Sequence, residues 1–103
     1  NAQRNYWIRF ETAEFTSLCP ITGQPDFATI SIEYMPGERC VESKSLKLYL
    51  FSFRQVGTFY EEIVNRIYSD LSETLQPRRL IVTGDFSARG GIVSSVKIDS
   101  AEV

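Results

Sequence analysis

The chain has 103 residues, 11 Lys and Arg against 13 Asp and Glu for a formal charge of -2, 43% hydrophobic residues, two cysteines and no histidine. The missing histidine excludes every Ser-His-Asp or Cys-His nucleophile pair, the usual near-neutral general base and all His-containing zinc sites, so chemistry must run on thiols, carboxylates, hydroxyls, lysines and arginines, with no metal expected. The length suits one domain, residues 1–103, and the acidic balance argues against a generic nucleic-acid coat while leaving a specific nucleic acid reachable through local arginines. No apolar run approaches the roughly 18 residues that span a bilayer. No secretory h-region follows Asn1-Ala2-Gln3-Arg4, so a cytoplasmic location away from membranes is expected.

From Tyr6 to Glu14 the run Tyr-Trp-Ile-Arg-Phe-Glu predicts a strand, and from Phe27 to Tyr34 alternation rich in β-branched and aromatic residues predicts a second. Between them, from Thr16 to Asp26, two prolines and a glycine predict a loop with a defined path. Pro36-Gly37 closes the second strand. A helix from Ser43 to Arg54 carries Leu46, Leu50 and Phe53 as its apolar stripe. A second helix runs from Thr58, as N-cap with Glu61 completing a capping box, to Leu75, with Phe59, Ile63, Ile67, Leu71 and Leu75 on its apolar face; Pro77 ends it. Two more strands, Arg79 to Ser87 and Ile92 to Ile98, are joined by Ala88-Arg89-Gly90-Gly91. The order ββααββ predicts an α+β layer fold with a four-stranded antiparallel sheet and two helices. Its two open edges call for covering, blunting or pairing, and pairing into a ring of subunits is one solution.

The Cys19 loop is the most informative segment. A cysteine among prolines, with Asp26 seven residues on, fits a nucleophile and a partner that shuttles its proton. The same two residues also fit a small buried hydrophobe and a turn cap, the usual lot of cysteines outside disulfides, and Cys40 takes that packing reading. In Glu42-Ser43-Lys44-Ser45-Leu46-Lys47-Leu48-Tyr49, Lys44 and Lys47 suit either a phosphate or a solvated helix face, and Glu42 and Ser43 either cap the helix or meet a ligand.

The strings from Phe15 to Ala28 and from Glu42 to Tyr49, with Arg89-Gly90-Gly91, closely resemble the 7-cyano-7-deazaguanine reductase (QueF) family of tunnelling-fold (T-fold) proteins, in order and over nearly the whole chain. The resemblance implies that Cys19 attacks the nitrile carbon of the deazapurine to give a covalent thioimide and that Asp26 is the proton donor and acceptor. It also implies that Glu61 contacts the Watson-Crick edge of the base, with Glu42 and Ser43 as further base contacts. Assembly is expected as a homo-oligomer, pentameric rings stacked as a decamer, with sites at subunit interfaces.

Departures from the family pattern carry information too. The reductases read Phe-Arg-Asn-His-Gly-x-Phe-His-Glu where this chain has Phe53-Arg54-Gln55-Val56-Gly57-Thr58-Phe59-Tyr60-Glu61, so both histidines are replaced. The chain is also shorter than a reductase subunit at both ends. These differences favour the archaeal branch, the QueF-like archaeosine synthases, which resemble the reductase but amidinate the nitrile base within tRNA. On that reading the partners are tRNA carrying 7-cyano-7-deazaguanine and ammonia or a partner that supplies it. No cofactor is then needed, and Lys44, Lys47, Arg78, Arg79 and Arg89 are candidate phosphate contacts. The alternative is an NADPH-dependent nitrile reductase acting on the free base.

Overall fold

The computed structural model describes residues 4–103, and at Arg89 the backbone alone. Four strands, β1 (Ile8–Leu18), β2 (Pro25–Met35), β3 (Arg79–Arg89) and β4 (Ile92–Asp99), form one antiparallel sheet in sequential order, with β1 and β4 at its edges. Helices α1 (Ser43–Phe51) and α2 (Tyr60–Leu75) lie between β2 and β3 in sequence, joined through a 3-10 turn at Ser52–Gln55.

Alternation on β2 and β3 decides which face is covered. Ala28, Ile30, Ile32, Tyr34, Leu80, Val82 and Phe86 point inward and are buried, as period-two geometry requires. The stripe Leu46, Leu50 and Phe53, with Ile63, Val64, Ile67, Leu71 and Leu75 of α2, completes the core. The opposite face of the sheet carries residues such as Arg9, Glu11 and Glu33, and its Phe27 is 54% exposed.

Several boundaries differ from the sequence expectation, each for a tertiary reason. Strand β1 runs past Glu14 to Leu18 because Phe15, Thr16, Ser17 and Leu18 pair with Ala28, Phe27, Asp26 and Pro25, after an irregularity between Thr12 and Phe15. The expected loop thus shrinks to residues 19–24. Helix α1 stops at Phe51, and the predicted stretch to Arg54 continues as the tighter 3-10 turn. Helix α2 starts at Tyr60 with no side-chain cap, so the predicted Thr58–Glu61 capping box is not formed. Thr58 is buried instead, and its N–H donates to the Leu18 carbonyl at 3.2 Å. Phe59, predicted on the buried face, is 56% exposed. Gln76 ends α2 in the left-handed conformation (φ 47°), ahead of Pro77. The β3–β4 turn is the two-residue Gly90-Gly91, both at positive φ, as a tight hairpin demands.

Two further contacts orient the helices. The Val41 N–H donates to the buried Tyr34 hydroxyl at 3.0 Å, pinning the approach to α1. Tyr49 of α1 donates to Asp70 of α2; burial, then Asp70, pushes the Tyr49 hydroxyl well above the ordinary phenol range.

At Gly84 the sheet lies close against α2: a Cβ there would come within 2.9 Å of Val64 Cγ2 and of the Phe86 ring. Gly84→Ala is therefore expected to lower stability by about 1–3 kcal/mol in urea unfolding. Gly57→Ala, whose Cβ would meet nothing nearer than 3.9 Å, should change it by less than about 0.5 kcal/mol. Equal effects would show that close packing at Gly84 is not the cause.

Glu42 caps α1, accepting from the Lys44 and Ser45 amides, both at 3.1 Å, and from the Ser45 hydroxyl. The Ser45 hydroxyl, ahead of the two amides, holds the Glu42 carboxyl below its usual range. A carboxyl depressed on folding stabilises above its unfolded pKa, and that contribution is lost as pH falls through the lower folded value. The parent should thus melt above Glu42→Gln at pH 7, with the difference closing as pH drops below about 4; a gap independent of pH would remove the charged cap.

Candidate functional site

The candidate site begins where β1 ends. The Cys19 N–H donates to the Gln24 carbonyl at 2.8 Å and the Gly23 N–H donates to the Cys19 carbonyl at 2.9 Å, so pairing continues one step past Leu18 and Pro25. Gly23, at φ 72°, allows the tight return. Ser17 and Asp26 are direct cross-strand partners. Cys19, two residues beyond Ser17, therefore stands diagonal to Asp26, at a spacing of roughly 7–8 Å for such neighbours. Cys19 is half-buried and carries no disulfide to the exposed Cys40, while Asp26 is only 6% exposed.

A second contact brings α2 to the same place. The Leu18 N–H donates to the Val56 carbonyl at 2.9 Å and the Thr58 N–H donates back to Leu18, making a short parallel bridge of Leu18 with Gly57. This clamp lays residues 56–58 against the end of β1 and starts α2 beside Asp26. The Tyr60 hydroxyl donates to Asp26 Oδ1 at 3.3 Å, and its ring stacks on buried Phe86 at 4.0 Å and 18°. Glu61 follows on the first turn of α2, exposed. The structure thus brings together Cys19, Asp26 and Tyr60, with Glu61 next to Tyr60 in the chain. A thiol beside a buried carboxyl, with a phenol donating to that carboxyl, suits addition to an electrophilic carbon with proton transfer to the neighbouring atom.

The remaining predicted residues lie elsewhere. Val41 meets Tyr34, which pairs with Ile8, whereas Val56 meets Leu18. Glu42 and Ser43 start α1 at the end remote from Val56, and Ser43 borders the middle of β1 through the hollow it shares with Phe10 and Phe15. Within one chain they do not join Cys19 and Asp26. Lys44 and Lys47 are exposed. Lys47 with Ser43 and Arg54 borders a hollow of about 400 Å³ walled by Phe10, Phe15 and Leu46; neither it nor a second of about 280 Å³ beside Phe27 and Val93 is lined by Cys19 or Asp26.

Arg78 and Arg79 are committed at the far end of the sheet, where Arg79 pairs with Met35. Arg78 Nε donates to the Pro36 carbonyl at 3.0 Å and Nη2 to the Arg4 carbonyl at 3.1 Å, and Arg78 also bonds Asn5. Arg79 bridges Asp99 at 3.0 Å and lies over the Trp7 ring. Neither can reach a phosphate near Cys19 on the same chain. The backbone of Arg89 ends β3 three residues beyond Phe86, and its side chain lies outside the described residues.

Sequence reasoning missed the Tyr60–Asp26 contact and the burial of Ser17. The first joins residues 34 apart and has no local signature; the second was hinted at only by the period of two that places Ser17 and Cys19 on one face. Among the described residues no group of three or more His, Cys, Asp or Glu gathers as metal ligands, and no helix is long and apolar enough to cross a membrane.

Comparison with known proteins agrees with this architecture. The chain is 63% identical over 90 residues to the NADPH-dependent 7-cyano-7-deazaguanine reductase of Porphyromonas gingivalis, a match that takes in 87% of this chain and 58% of that protein. It is 60% identical over 89 residues to the protein of the same description from Anaeromyxobacter sp., covering 86% and 73%. The chain thus spans little more than half the length of the first of these relatives. A solved structure, the archaeosine synthase QueF-Like in the apo form, superposes with a TM-score of 0.86 at 25% identity, over 94% of this chain and 95% of that one, and the architecture is the expected tunnelling fold. The family description "QueF-like protein" matches residues 25–103. With the sheet order, the helix placement and three quarters of its length in agreement, the chain belongs to the QueF-like protein family.

Proposed function

We propose that this chain activates the nitrile of 7-cyano-7-deazaguanine, with Cys19 as nucleophile and Asp26 as acid. The observation that supports the reading is that Cys19, bonded to Gln24 just past the Leu18–Pro25 pair, ends the strand pair that holds buried Asp26, in a chain about 60% identical to proteins named for that substrate. Asp26 takes the proton of the Cys19 thiol, the thiolate sulfur bonds to the nitrile carbon as one π bond opens, and the proton passes from Asp26 to the nitrogen, giving a thioimide. Partial burial favours this transfer, because water competes less with the carboxyl for the developing negative charge.

For the fate of the thioimide the relatives' names support reduction. This reverses the order expected from the sequence, where loss of both histidines favoured amidination. NADPH, one equivalent for each of the two reductions that take a nitrile to an aminomethyl group, would supply the hydrides. Lys47 and Arg54 beside the apolar hollow at α1 suit one phosphate and one ring of such a cofactor, and they are the residues of this chain that would hold it. Glu42 and Ser43 reach the base only from a second copy, which fits the expected homo-oligomeric ring with sites between subunits.

The second reading, amidination of the nitrile base in tRNA with ammonia, draws on the likeness to the archaeosine synthase. There ammonia adds to the thioimide carbon and the Cys19 thiolate leaves. Exposed Lys44 and Lys47 are candidate contacts for tRNA phosphates, and Arg89 stays one by sequence alone. The committed Arg78 and Arg79 suit that task less.

Incubation with free 7-cyano-7-deazaguanine should add the mass of the base to Cys19, and NADPH should then be consumed. Cys19→Ala should abolish both, and Asp26→Asn should slow adduct formation by about 10²- to 10⁴-fold. No NADPH consumption with the free base, alongside amidine formation from nitrile-bearing tRNA and ammonium, would replace reduction by the second reading; an unmodified Cys19 in both would sink the nitrile chemistry.

A further inference from the structure

Ser17 is fully buried, at 0% exposure, and its hydroxyl has no hydrogen-bond partner. Buried hydroxyls are almost always paired, and an unpaired one costs stability. This one occupies a particular place: directly across the ladder from Asp26, on the same face, and two residues before Cys19. Side chains opposite one another on a sheet have β carbons roughly 4.5–5.5 Å apart, so one χ1 rotation carries the hydroxyl to the carboxyl.

The proposed chemistry makes such a donor useful. When Asp26 gives its proton to the nitrile nitrogen it becomes a buried carboxylate, which accepts hydrogen bonds and donates none. Tyr60 offers one donor at 3.3 Å. We propose that Ser17 is a positioning residue that supplies another: one χ1 turn lets its hydroxyl donate to the Asp26 carboxylate left when the proton moves to the nitrile nitrogen. The proton passes from Asp26 to the nitrile nitrogen, and Ser17 and Tyr60 both keep theirs. The role in catalysis rests on the nitrile reading above, whereas the pairing of Ser17 with ionised Asp26 does not.

Two measurements test it. In the free chain, three-bond proton couplings of Ser17 should report a χ1 rotamer in the parent that differs from the one in Asp26→Asn. In the adduct assay, Ser17→Ala should slow Cys19 modification about 10- to 100-fold, the effect of one hydrogen bond to a charged group, with its melting temperature unchanged or raised. In the Asp26→Asn background the same change should cost less than about twofold. The same Ser17 rotamer in the parent and in Asp26→Asn, or equal slowing in both backgrounds, overturns the proposal. If the rotamer depends on Asp26 while the parent forms no adduct, the Ser17–Asp26 pairing stands and the nitrile reading falls.

Discussion

The site depends on a pair of backbone hydrogen bonds, Leu18 N–H to Val56 and Thr58 N–H to Leu18. They consume the donor and acceptor of the last β1 residue, which at a sheet edge would otherwise face solvent or another chain. They also decide where α2 begins. Once Thr58 is tied to Leu18, Tyr60 starts the helix next to Asp26, and the Phe86 ring on β3 fixes the plane of the phenol. Side-chain contacts alone would place these groups less well, since each rotates about its own bonds while the clamp holds the backbones.

The same clamp explains which parts of the architecture were legible in the chain of residues. Strand β2 and the core face of α2 are local patterns: alternation through Ile30, Ile32 and Tyr34, and helical spacing through Ile63, Ile67, Leu71 and Leu75, all buried. The end of β1 is not local. Thr16, Ser17 and Leu18 sit beside Pro20 and Gly23 and read as loop, and they become strand only because β2 is there to pair with them. Thr58 has the composition of an N-cap, but a backbone partner forty residues away claims it. Cys19 and Asp26 were found through motif and resemblance. Their partner Tyr60 was visible as a departure from a family pattern, and its contact with Asp26 was not.

Glu42 shows how one residue can satisfy two readings. Its carboxylate caps α1 through two amides and a hydroxyl, a complete structural account within one chain. An exposed cap keeps a lone pair available to a partner, so helix capping and ligand contact need not compete. The candidate base contacts thus divide: Glu61 follows Tyr60 on the first turn of α2, and Glu42 and Ser43 start α1.

Replacement of imidazole by phenol at Tyr60 changes what the site can do with charge. A phenol donates a hydrogen bond to Asp26 but, unlike imidazole, has no cationic form. It can stabilise the carboxylate without neutralising it. Charge on the Asp26 carboxylate is therefore met at Tyr60 by a neutral donor, worth less than an ion pair at the same burial. A carboxylate held this way gains from every further donor that can be brought to it.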